Sequence, residues 1–66
     1  MPNVTIEWLE GRTVDQRRAV IKGITDLLVE EANARREAVQ VTFRDMTKET
    51  WGRGGLLGID NPDVKP

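Results

Sequence analysis

The stretch NVTIEWLEGRTVDQ, residues 3–16, decides the fold, because within it the pattern changes from strand to helix. Val4, Ile6 and Trp8 alternate with Thr5 and Glu7, the period of two that marks a half-buried strand, which predicts a strand over about Asn3 to Leu9. Glu10-Gly11-Arg12 turns the chain. Thr13 then stands three residues before Gln16, the spacing at which a threonine N-cap and a glutamine satisfy each other's backbone donors, so a helix starts at Val14.

Downstream, Val20, Ile21, Ile24, Leu27, Leu28 and Ala32 recur at three- and four-residue intervals, while Arg17, Arg18, Lys22, Asp26 and Glu30 fall outside that stripe. Asn33 is a suitable helix end. Val39, Val41 and Phe43 alternate with Gln40, Thr42 and Arg44 to give a second strand. One helix between two strands implies a parallel pair with a right-handed crossover, with Val4, Ile6, Val39, Val41 and Phe43 packed beneath the helix. The other face would carry Thr5, Glu7, Gln40, Thr42 and Arg44. Two strands are too few to stand alone, so that face and the sheet edges ask for partner chains.

The Trp51-Gly52-Arg53-Gly54-Gly55 stretch, followed by Leu56 and Leu57, predicts a tight hairpin that docks on a neighbour. Asp60-Asn61-Pro62-Asp63 reads as a turn, and the tail from about residue 59 is expected to be loose. The reading is therefore α/β, a single domain over residues 1–66.

Composition narrows the function. Sixty-six residues give a thin core, and the chain has neither cysteine nor histidine, which removes disulfides and the usual metal ligands as supports. Oligomerisation is the support that remains. There is no membrane-spanning run and no signal-peptide pattern, so the expectation is a soluble cytoplasmic protein. A formal charge of −1 with both signs interspersed argues against nucleic acid or an anionic membrane as partner, and Arg17-Arg18 and Arg35-Arg36 read as solvated pairs.

Without histidine or cysteine, the ordinary nucleophile and base arrangements are missing. The glycine-rich stretch is not a phosphate loop, since no Gly-Lys-Ser/Thr follows it. Glu7 and Glu10 lie on opposite sides of the strand's period and read as solvated or ion-paired. Pro2 offers something different. As an internal residue it suits the start of a strand; if Met1 is removed, its nitrogen becomes a free secondary amine. A general base works best with a conjugate-acid pKa near the working pH, and an apolar pocket containing Trp51 and the cation Arg12 would push that amine towards neutrality. The planar fork of Arg12 can also hold a carboxylate in two hydrogen bonds.

In the order Met-Pro, Leu9-Glu10-Gly11-Arg12-Thr13, a capped amphipathic helix, a strand ending at Met46, then Trp51-Gly52 and Gly54-Gly55, the chain resembles the small subunit of the 4-oxalocrotonate tautomerase family, nearly throughout as far as Gly55. The resemblance implies a β-α-β unit assembled as a homo-hexamer, a trimer of dimers, with sites built from more than one subunit. It implies a cofactor-free tautomerase in which the processed N-terminal proline moves a proton between carbons of an unsaturated 2-oxo or 2-hydroxy acid. Pro2 matches that base, Arg12 the arginine that binds the distal carboxylate, and Trp51 an aromatic residue, usually phenylalanine, that keeps the pocket apolar.

Gln40 departs from the pattern. It stands where the dicarboxylate-specific members carry a second arginine, contributed from a neighbouring subunit, and a neutral amide supplies a hydrogen bond without the charge that favours a developing dienolate. Arg44 lies four residues along the same face, roughly 13 Å away at strand rise, too far to substitute. Arg53, in the hairpin, is the candidate for that part, with a surface or interface charge as its alternative. The dehalogenase branch uses an acidic residue near Arg53 and an additional arginine where this chain has Leu9, which disfavours hydration chemistry. The rival to an active homo-hexamer is a non-catalytic subunit of a hetero-hexamer, to which a sister chain brings the missing arginine or the working proline. A retained Met1 would favour it, because Pro2 would then remain an amide.

Overall fold

The computed structural model describes residues 1–64. Strand β1 spans Asn3–Leu9, helix α1 Val14–Ala32, and strand β2 Gln40–Met46. The two strands pair in parallel, in register from Asn3 opposite Gln40 to Leu9 opposite Met46, and Glu10 extends the pairing by donating its N–H to the Met46 carbonyl at 2.8 Å. Gly11, at φ 126°, takes the chain out of β1 through a conformation that side-chain-bearing residues rarely adopt. The capping box forms as its spacing requires: Thr13 Oγ1 accepts from Gln16 N at 3.1 Å, and Gln16 Oε1 accepts from Thr13 N at 2.9 Å. At the other end Asn33 adopts the left-handed region at φ 56°, which asparagine tolerates, and Ala34 N–H returns to the Leu28 carbonyl at 3.2 Å.

Alternation along both strands separates two faces. Val4, Ile6, Trp8, Val41 and Phe43 are half-buried, while Asn3, Thr5, Glu7, Gln40, Thr42 and Arg44 are exposed. Arg17 of α1 forms an ion pair with Asp45 of β2, which shares the face of Trp8 and Phe43, so the helix crosses that face. Three sequence expectations need adjustment. Val39 lies just before β2 and closes a 3-10 turn over Arg36–Ala38 by donating to Arg36 O at 3.2 Å. Arg17 is half-buried rather than solvated, because it sits three residues before Val20 and seven before Ile24, on the inward face. Of the helix stripe, Val20, Ile24 and Leu28 are half-buried and Thr25 is buried, whereas Ile21, Leu27 and Ala32 are exposed. A two-stranded sheet is about 10 Å wide, no wider than the helix above it, so the flanks of the stripe overhang.

Beyond β2, strands β3 (Gly52–Arg53) and β4 (Leu56–Leu57) form the antiparallel hairpin, with Gly54 and Gly55 both at positive φ in its two-residue turn. Leu56, Leu57 and Ile59 are exposed on this arm. A second 3-10 turn, Gly58–Asp60, ties back through Gly58 N–H to Trp51 O at 2.7 Å and Ile59 N–H to Lys48 O at 3.1 Å. The expected turn follows, with Asn61 Oδ1 accepting from Asp63 N, and Val64 is buried; the remainder of the tail, 65–66, lies outside the described residues.

The chain measures 43 × 23 × 15 Å, with a radius of gyration of 14.9 Å where a compact domain of this length would have about 11 Å. No described side chain is fully buried. A single copy therefore has an uncovered polar sheet face, exposed apolar residues on the helix flanks and an exposed apolar arm, without a closed core.

Candidate active site

Pro2, half-buried, heads β1, and its carbonyl accepts the Gln40 N–H at 3.0 Å, so the residues anticipated as base and as the family's altered position are neighbours across the strand pair. Gln40 is exposed beside it. Arg12 lies past the other end of β1, a strand of roughly 20 Å at strand rise. Its guanidinium carbon is 4.3 Å from the centre of the Trp8 ring, and its Nη1 donates to the Leu9 carbonyl at 3.1 Å. Trp51 and Arg53 sit on the hairpin, the Arg53 guanidinium carbon 5.9 Å from the Trp51 ring centre, near the outer limit of a cation–π contact. One chain thus joins Pro2 with Gln40 and Trp51 with Arg53, and it leaves Arg12 at the opposite end from Pro2.

Around Arg12 the structure assembles side chains that the sequence reading passed over. Trp8 Nε1 donates to Asp45 Oδ1 at 2.6 Å, the Trp8 and Phe43 rings stack with centres 5.0 Å apart and planes 9° from parallel, and Asp45 also pairs with Arg17. Same-face residues on neighbouring strands meet directly or on the diagonal, so this cluster follows from the register once the register is known. Next to it lies an open cleft of about 700 Å³ lined by Leu9, Glu10, Gly11, Met46, Lys48, Glu49 and Ile59, which includes none of the five anticipated site residues.

Elsewhere the charges form surface pairs. Asp26 binds Lys22 at 2.7 Å and Arg36 at 2.5 Å, and these two contacts, Lys22 first, hold its carboxyl below the usual value. Glu37 is lowered first by its own backbone N–H and then by Arg35. Among the described residues no group of three or more metal-binding side chains converges, and no helix is long and apolar enough to cross a membrane. Glu7 and Glu10 are exposed.

A parallel β-α-β chain with a glycine-turned arm, proline at its head and an arginine just past the first strand defines the class of small tautomerase subunits. Comparison with known proteins agrees. The tautomerase family, described as tautomerase enzyme, matches residues 2–59. A 2-hydroxymuconate tautomerase of Comamonas testosteroni is 43% identical over 56 residues, covering 85% of this chain and 89% of that protein. A probable tautomerase of Listeria monocytogenes is 39% identical over 60 residues, covering 91% and 98%. Among solved structures, a 4-oxalocrotonate tautomerase isozyme from Methylibium petroleiphilum superposes with a TM-score of 0.79 at 41% identity, covering 88% of this chain and 94% of that one. The chain belongs to the 4-oxalocrotonate tautomerase family, whose members are isomerases.

Proposed function

We propose that the protein, once Met1 is removed, is a cofactor-independent tautomerase of an unsaturated 2-hydroxy or 2-oxo acid such as 2-hydroxymuconate or an enolpyruvate, acting in the cytoplasm. The supporting observation is the separation within one chain of Pro2 from Arg12, in a molecule that buries no described side chain completely. A site using both needs at least two copies, in keeping with a homo-hexamer arranged as a trimer of dimers.

In this reading the neutral Pro2 amine takes a proton from the 2-hydroxyl group or from the carbon beside the 2-oxo group. The electron pair moves along the conjugated chain, and the protonated amine returns the proton to a more distant carbon. Arg12 of a neighbouring copy grips the carboxylate remote from the reacting end, and Trp51 keeps water from the amine, which favours its uncharged form. Gln40 of a neighbouring copy offers one amide hydrogen bond to the enolate oxygen, and Arg53 is available to add charge there.

A second reading rests on Gln40 alone: a hetero-hexamer in which a sister chain provides the arginine. Ultraviolet kinetics with 2-hydroxymuconate and a monocarboxylate analogue on the processed protein test the first reading, and native mass spectrometry of the assembly from its own host tests the second. The homo-hexamer enzyme predicts turnover by this chain alone, and Pro2→Ala with undiminished turnover would refute the base.

A further inference from the structure

Arg12 is long and flexible, and a carboxylate clamp of that kind binds best when its rotamers are already restricted. Four contacts restrict it or its platform. The guanidinium lies 4.3 Å from the Trp8 ring centre, its Nη1 is tied to Leu9 O, and the indole is itself fixed by the Asp45 carboxylate and the Phe43 ring. Asp45 is in turn held from the helix by Arg17.

We infer that Trp8 is a positioning residue for the Arg12 clamp, anchored to the sheet and helix through Asp45 and Arg17. This rests on the carboxylate-binding role of Arg12 given above. A guanidinium held against a ring has its planar fork restricted to a narrow set of orientations, and that fork makes two parallel bonds to a carboxylate. The indole N–H bond to an anion raises the electron density of the ring, which strengthens its attraction for a cation. Trp8 thereby sets the direction of the fork, while Leu9 O sets its distance from the strand.

The test is steady-state kinetics of the processed protein with 2-hydroxymuconate, for wild type, Trp8→Leu, Trp8→Phe, Arg12→Ala and the Trp8→Leu/Arg12→Ala double variant. Trp8→Leu is expected to raise KM by about fivefold to tenfold, the range of a cation–π contact, with kcat changed by less than about twofold. Trp8→Phe, which keeps an aromatic face and the packing against Phe43, is expected to fall between Trp8→Leu and wild type. In the Arg12→Ala background the Trp8→Leu effect on KM should vanish. A readout independent of turnover is the NMR position of the Arg12 side-chain protons, shifted upfield by the indole ring current in wild type and unshifted in Trp8→Leu.

Unshifted Arg12 protons in wild type, or additive KM effects in the double variant, would overturn the positioning role. An unchanged KM in Trp8→Leu beside a raised KM in Arg12→Ala would overturn that role and leave the clamp standing. An unchanged KM in Arg12→Ala would overturn the clamp, and Trp8's role with it.

Discussion

At the head of the parallel pair Pro2 is fixed by one main-chain bond from Gln40, while at the far end Arg12 is surrounded by side chains: the Trp8 ring and, behind it, Phe43, Asp45 and Arg17. The head needs only a backbone in register, because the group proposed to react is itself part of the backbone. The far end must direct a flexible side chain, and it does so with packed rings and charges. Variants at the head should therefore change chemistry, and variants at the far end should change binding.

The largest effect tests the head. Pro2→Ala is expected to lower kcat by about 100-fold or more, the contribution of a positioned general base, with KM little altered. Arg12→Ala should do the reverse, raising KM for a dicarboxylate about 10- to 100-fold, as expected for a lost charged hydrogen bond, with a much smaller change for a monocarboxylate lacking the distal group. If both variants altered kcat alone, the division between the two ends would collapse. Gln40→Arg sharpens it from the other side: restoring the family's second cation should raise kcat/KM for 2-hydroxymuconate about threefold to tenfold, mainly through kcat. The smallest effect belongs to a residue remote from both ends. Asp26→Asn should leave both kinetic constants unchanged and affect only stability. The folded pKa of Asp26 lies below its ordinary value of 3.8, so its stabilisation is present at neutral pH and lost as the pH falls through 3.8 towards the folded value. Melting curves of wild type and variant should differ at pH 7 and converge once the pH has fallen through the lowered folded value.

The same division explains what the sequence revealed. The two long strands, the capping box, the Asn33 terminus and the glycine hairpin each depend on local chemistry, and each stands where its residues placed it, save that β2 begins at Gln40 rather than Val39. The neighbours Pro2 and Gln40 follow from a register that a parallel pair of equal strands makes easy to guess. The surroundings of Arg12 were less accessible. Trp8 belonged visibly to the alternating face, yet its partner Asp45 interrupts the apolar pattern of β2, and a charged residue in an apolar row gives no sign of packing against a ring. Arg17 was hidden for a related reason: its charge assigned it to solvent, although its spacing from Val20 and Ile24 put it on the inner face. In both cases the charges are paired with each other, which single-residue hydrophobicity cannot register.

At Gly52, the start of the arm, an added Cβ would lie 2.2 Å from the Leu56 carbonyl oxygen, inside the hairpin's own backbone. Every alternative amino acid carries that carbon, alanine included, so a randomised library at this codon, selected for an intact arm, should return glycine alone. The chain has little freedom to drift there, whereas Gly54, with open space around it, is limited by torsion rather than by collision and would admit asparagine.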